Sequence, residues 1–316
     1  MNIIYTGVDA VISGTWLTRA GIALVGTTAA VGMFAAPAQA AGRNTVSVLG
    51  DSLIYWANKG QVNRVWIGQS GGKVVLDDRV ALTAGEGCTL VEGDRTRVVC
   101  TGVTQVHINL RDRDDVFVNR TGLTTNVAGA NGNDTLIGGT GRDYLSGGRG
   151  DDVLKGGAGD DLLTGGAGRD LIHGNSGSDS LYDGAGVDRA YGGTGDDLFW
   201  DGRGADRLHG GAGNDRILTG KYVDADRYYG GVGIDRVDYR QRTGPVTADA
   251  DGRADDGQTG EKDRIAPDVE NLTGGKGDDT LIGNRYANVL DGREHVKGDT
   301  CVAGGGDTTR NCEIVK

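Results

Sequence analysis

From Gly129 onward a single apolar residue returns every nine positions, set among glycine, aspartate and small polar residues. Ten units follow one another without a gap, and their eighth place holds Leu136, Leu145, Leu154, Leu163, Ile172, Leu181, Ala190, Phe199, Leu208 and Ile217. A nine-residue period matches neither the 3.6-residue turn of a helix nor the two-residue alternation of a long strand. Each unit reads instead as a six-residue turn followed by a three-residue strand, whose middle side chain points one way and whose neighbours point the other. Two units make one coil, a strand out and a strand back. Residues eighteen apart then stack at the ~4.8 Å spacing of hydrogen-bonded strands.

The pattern changes on either side of the array. Residues 41–127 carry short β-rich runs (NTVSVLG, NRVWIG, GKVVLDD, TRVVC, QVHINL) between Gly and Asp turns, which predicts a small N-terminal all-β segment. The array itself spans 128–238. Within it the eleven-residue segment TGKYVDADRYY adds two residues and resets the register to Asp226, after which GGVGIDRVD restores it with Asp235 and Val237. Residues 239–273 interrupt the repeat and read as an inserted loop or hairpin on the side of the roll. Residues 274–316 bring back terminal repeats, GGKGDDTLI and the fading GNRYANVLD, and then a C-terminal cap.

Composition sharpens this reading. The 316-residue chain has 59 Gly but only 3 Pro, which excludes collagen and Pro-rich linkers. Of its 44 acidic residues, 38 are Asp and six are Glu. Asp favours turns over helix interiors, so the chain is turn-rich and poor in helix. A net charge of -11 argues against nucleic acid or an anionic membrane as partner. Cations are the natural counterpart.

The sixth place of the ten units is always aspartate: Asp134, Asp143, Asp152, Asp161, Asp170, Asp179, Asp188, Asp197, Asp206 and Asp215. In a two-unit coil these fall into two columns, one on each edge, where like charges that close repel strongly. A divalent cation between successive turns turns that repulsion into attraction. Carboxylates and free turn carbonyls give the all-oxygen shell that calcium accepts, whereas magnesium demands a more regular octahedron. Zinc and copper prefer His or Cys, and His173 and His209 are isolated ninth-position residues that read as surface groups.

These fixed Gly, Asp and apolar places resemble the RTX, or hemolysin-type calcium-binding, family, whose repeat is GGxGxDxUx. The resemblance covers 129–238 and returns at 274–282. It implies an all-β, right-handed parallel β-roll, with several Ca2+ ions held by the sixth-position Asp and by backbone carbonyls, and with the eighth residue inside. The ligand set it carries onto this chain is the ten Asp above with Asp226, Asp235 and Asp279. Departures are Asp183 and Asp201 at first places, Asn175 at a second, Asp224 at a fourth, and Asn288 where Asp is expected. The degenerate turn RDRDD (111–115) has arginines where glycines belong, so no calcium is expected there.

Residues 20–36 form an apolar run behind Arg19 and before Ala38-Gln39-Ala40, which reads as a signal peptide of residues 1–40. Asp9 and the lack of early positive charge point to initiation nearer Val11. The exported chain would have no membrane span. Its four cysteines form two close pairs, and among three possible connectivities Cys88–Cys100 with Cys301–Cys312 closes the shortest loops. Gly50-Asp51-Ser52-Leu53 spells the entry to a GDSL hydrolase, but the two Asp-x-x-His strings, Asp170 to His173 and Asp206 to His209, belong to the repeat. DADGRADDG fails the EF-hand pattern, since position five from Asp249 is Arg253 and position twelve is Gly260. The reading is an extracellular, non-enzymatic calcium-binding protein whose roll folds on Ca2+. The alternative is a calcium-stabilised surface adhesion or interaction protein with an unidentified cell-envelope or protein partner, and a hydrolase at Ser52 stands behind both.

Overall fold

The eighth side chains of the repeat all turn to one side of their strands, and that closes the chain into a solenoid. The computed structural model describes residues 43–293 and 298–316, so the expected signal peptide lies outside the described residues. One interior column is Leu145, Leu163, Leu181, Phe199, Ile217 and Val237, successive residues pairing across parallel strands. The facing column is Leu136, Leu154, Ile172, Ala190, Leu208 and Tyr228. All twelve are buried. The register is eighteen residues until the inserted segment, where Leu208 pairs with Tyr228 and Ile217 with Val237 at twenty. The two extra residues of TGKYVDADRYY are thus absorbed in a loop without breaking either column.

Strands such as Asp143–Arg149, Leu162–Gly168 and Ser180–Gly186 form a fourteen-stranded sheet, and Val153–Ala158, Leu171–Ser176 and Arg189–Thr194 belong to a twelve-stranded sheet opposite. The described residues make about twelve coils and no helix. Each eighteen-residue coil of the array places only two apolar side chains in these interior columns, one of them Ala190 in one coil. That is a thin core for the chain it must order.

The N-terminal segment continues these sheets. Ser52–Trp56, Gln105–Asn109 and Thr124–Asn131 are successive parallel strands of the first sheet, with Tyr55 beside Ile108 and Ile108 beside Val127. Arg64–Ser70 and Val116–Asn119 extend the second, with Val65 beside Phe117 and Phe117 beside Leu136. Antiparallel hairpins finish this end, and the Cys88–Cys100 disulfide joins directly opposed residues of one of them.

The insert is only partly a side hairpin. Val246–Asp249 pairs antiparallel with Gly257–Gln258 and parallel with Thr280–Ile282 in a third, five-stranded sheet. Its second half is the next coil: Ile265 pairs with Tyr228 and Leu272 with Val237, so both interior columns carry on. The IAPDVEN turn between them lacks the glycines of the repeat, which is why its role was hidden. The second disulfide, Cys301–Cys312, ties the last strands together.

Candidate metal centre

Each sixth-position Asp ends a turn and begins a strand, so its backbone N–H points at the next coil. There it finds the carboxylate of the equivalent Asp. Asp152 donates to Oδ1 of Asp170 at 2.9 Å, Asp170 to Asp188 at 2.7 Å and Asp188 to Asp206 at 2.7 Å. On the other edge Asp143 donates to Asp161, Asp161 to Asp179, Asp179 to Asp197 and Asp197 to Asp215, at 2.7 to 2.8 Å. The carboxylates are thereby buried and oriented in two ladders.

One oxygen of each is spoken for; the other decides the chemistry. In Asp134, Asp152, Asp161, Asp170, Asp179, Asp188, Asp197, Asp206, Asp215 and Asp235, Oδ2 is buried with no hydrogen-bond partner. Leaving a buried carboxylate oxygen unpaired is costly. Three expected ligands differ. Oδ2 of Asp143 accepts the Gly139 N–H, that of Asp279 the Gly275 N–H, and that of Asp226 the Tyr228 hydroxyl.

First-position glycine keeps the space around these oxygens open. A Cβ on Gly156 would lie 2.2 Å from Asp161 Oδ2 and 2.8 Å from the Gly174 carbonyl oxygen. On Gly174 it would lie 2.2 Å from Asp179 Oδ2 and 2.6 Å from the Gly192 carbonyl. Carboxylate and carbonyl oxygens therefore converge where a methyl would stand. These glycines do not have positive φ, so room rather than conformation selects them. Conformation and stacking both matter at the second place, where Gly157 has φ 118° and a Cβ would approach the Gly139 carbonyl to 2.1 Å.

Burial, reinforced by neighbouring carboxylates, pushes Asp152, Asp161, Asp188, Asp206 and Asp235 up to about 7 and Asp197 to about 8. Asp134, Asp170, Asp179 and Asp215 rise to about 6. The donor set is oxygen only, anionic and short of cations, which fits a hard divalent ion. His173 and His209 lie outside it, in a stack with Tyr191 and Tyr229 at centroid spacings of 4.2 to 5.0 Å. Comparison with protein families finds the RTX calcium-binding nonapeptide repeat matching residues 128–217 and 272–295. These residues belong to the RTX repeat family. No curated protein matches the chain as a relative.

The same ladder runs beyond the matched residues. Asp115 accepts the Asn63 N–H at 2.5 Å, donates its own to Asp134 at 2.8 Å and has an unpartnered Oδ2. Asp263 accepts from Asp226 at 2.9 Å, Glu270 from Asp235 at 2.8 Å and Asp299 from Asp279 at 2.8 Å. RDRDD lacks the glycines of the repeat, yet Arg111 and Arg113 take φ of 75° and 84° themselves. A usable signal was present in each case: an acid two residues before a buried apolar side chain, as in Asp115–Phe117, Asp263–Ile265, Glu270–Leu272 and Asp299–Cys301.

Two other motifs resolve differently. Gly50-Asp51 is the two-residue turn of a hairpin in which Leu49 opposes Ser52, with Gly50 at φ 64°. The GDSL string thus forms this hairpin turn, in which the Ser52 hydroxyl donates to Asp51 at 3.4 Å. Near the loop where the register resets, Arg242 is buried beside Glu261, to which it donates, and 4.0 Å from Asp263. A fixed guanidinium supplies the positive charge at that point.

Proposed function

We propose that the protein is an exported, non-enzymatic calcium-binding β-roll in which Ca2+, held between successive turns, closes one coil on the next. The carrying observation is the run of ten buried Oδ2 atoms without partners, each beside a stacked carbonyl oxygen or a neighbouring carboxylate. When bound, calcium supplies the charge compensation and oxygen coordination that these groups lack. The chain's own residues do the rest: the Oδ1 atoms fix ladder spacing through backbone N–H groups, and first-position glycine keeps the cage open. The proposed ligands are Asp134, Asp143, Asp152, Asp161, Asp170, Asp179, Asp188, Asp197, Asp206, Asp215, Asp226, Asp235 and Asp279, with Asp143 and Asp279 the weaker for having both oxygens held by backbone N–H groups.

Export is supported by the two disulfides, which suit an oxidising compartment, and by the leader-like residues 1–40. Extracellular calcium modules bind at about 10⁻⁴ to 10⁻³ M, so folding would follow secretion. Equilibrium dialysis of residues 41–316 against calcium tests the reading: several ions per chain are expected in that range, and none bound would refute it. An interaction role with calcium as scaffold is the second reading. It is favoured by the outer face of the second sheet, where Arg189, Arg207 and Arg227 stack in register beside the His–Tyr column, with no ion pair to them among the described residues. Calcium-dependent retention on cell envelope separates it from the first.

A further inference from the structure

Two units of the array break the rule that glycine comes first, and they are consecutive on the same edge. Asp183 and Asp201 take that place, and both are buried, at 1 % and 7 % exposure. Their side chains enter the space that glycine elsewhere leaves to the ladder oxygens. Asp183, Asp188 and Asp206 each bring a carboxylate oxygen within 4.8 Å of the other two, and so do Asp201, Asp206 and Asp226. Oδ2 of Asp183, Asp188 and Asp206 and Oδ1 of Asp201 have no hydrogen-bond partner. The remaining oxygens are anchored: Asp183 Oδ1 by the Gly184 N–H at 2.7 Å, and Asp201 Oδ2 by the Tyr228 hydroxyl at 3.0 Å. Among the described residues, no basic side chain forms an ion pair with any of the five.

Five buried carboxylates held without an ion pair are not a stable arrangement in themselves, even with the Arg242 charge acting on Asp226, because buried charge must be paired or neutralised. We propose that Asp183 and Asp201 turn two neighbouring inter-coil positions into a linked pair of three-carboxylate cation sites that share Asp206. These sites bind Ca2+, or a trivalent lanthanide, more tightly than the glycine-first units and fill before them. Ligand charge count is a main determinant of calcium affinity, and each of these positions gains one full carboxylate over its neighbours. The second site joins Asp206, before the loop that absorbs the two extra residues, to Asp226 after it. Ions bound first would hold together the coils on either side of the least regular turn. The inference rests on the calcium-binding reading above and deepens it.

Terbium is a suitable probe, since the Tyr228 hydroxyl bonds to both Asp201 and Asp226, at 3.0 and 3.2 Å, and tyrosine sensitises lanthanide emission. The wild-type chain should show an early luminescence phase at terbium concentrations about 10-fold or more below the main phase. Asp183→Gly with Asp201→Gly, which restores the repeat consensus, should abolish the early phase and leave the later one. Calcium-saturated circular dichroism should stay unchanged. Asp183→Asn with Asp201→Asn provides the same test at constant volume should the glycine variant not fold. An early phase that survives both double variants, or a single uniform phase in the wild type, would overturn the proposal while leaving the β-roll reading intact. Failure of terbium and calcium to bind at all would instead overturn both.

Discussion

Asp179→Asn should change stability differently with and without calcium. Asp179 accepts the Asp161 N–H through Oδ1 at 2.8 Å, while its Oδ2 is the unpartnered oxygen beside the Gly192 carbonyl. Asparagine keeps the acceptor and replaces Oδ2 by an amide. In the metal-free fold at pH 8, burial has pushed the carboxylate from 3.8 to about 6, and two pKa units correspond to at most about 3 kcal/mol of strain that the amide removes. With calcium, a site of Kd near ~10⁻⁴ M at ~10 mM free ion contributes about 2.7 kcal/mol. An Asp lying between two coils touches one or two such ions. The stabilisation gained on adding calcium should therefore shrink by about 3 to 5 kcal/mol in the variant, which is the more stable protein in chelator and is neutral or less stable in calcium. Urea unfolding in chelator and in calcium, with the same stabilising osmolyte in both, measures the two differences. An equal loss under both conditions would mean that Asp179 acts only as a hydrogen-bond acceptor and would refute the reasoning.

Three further outcomes follow from the same geometry. Gly156→Ala should weaken calcium binding and also destabilise the metal-free coil, because its Cβ meets Asp161 Oδ2 at 2.2 Å and the Gly174 backbone oxygen at 2.8 Å. Gly157→Ala, which combines φ 118° with a backbone oxygen at 2.1 Å, should disrupt folding itself, as read by circular dichroism. The ladder carboxylates have raised folded pKa values, so their contribution to the metal-free fold is fully present below the unfolded value of 3.8 and is lost as pH rises through about 6 to 8. More β-structure is thus expected in chelator at pH 5 than at pH 8, and calcium should remove that difference. Arg242→Met leaves Glu261 and Asp263 buried without their cation and should cost about 3 to 5 kcal/mol in chemical denaturation; adding Glu261→Gln should recover part of it.

The array was legible because its fold is written in a period. Leu163 and Asp161 recur in kind every nine residues, and stacking at eighteen follows from strand geometry alone. Glycine was legible in place but not in cause: Gly156 is there for room around Asp161, which no conformational preference reveals. Asp115 and Glu270 were hidden because their turns lack glycine, and Asp263 because Gly257 and Gly260 fall outside the glycine places of the repeat, although each keeps the spacing to Phe117, Ile265 and Leu272. The arginines of RDRDD hid the first of these by adopting a backbone conformation usually left to glycine. Arg242 could not have been found from local pattern at all. It meets Glu261 nineteen residues away, across a segment without the repeat's period.

The central claim, that the roll closes on calcium, is tested most directly by titrating residues 41–316 with calcium while recording far-ultraviolet circular dichroism and Trp200 fluorescence. Trp200 stacks on Tyr182 of the preceding coil at 4.0 Å between centroids, so its emission reports coil stacking. A cooperative gain of β-signal with a matching fluorescence change between about 0.1 and 10 mM calcium is predicted. A chain whose β-signal is the same in chelator and in ~10 mM calcium at pH 8 would contradict the account.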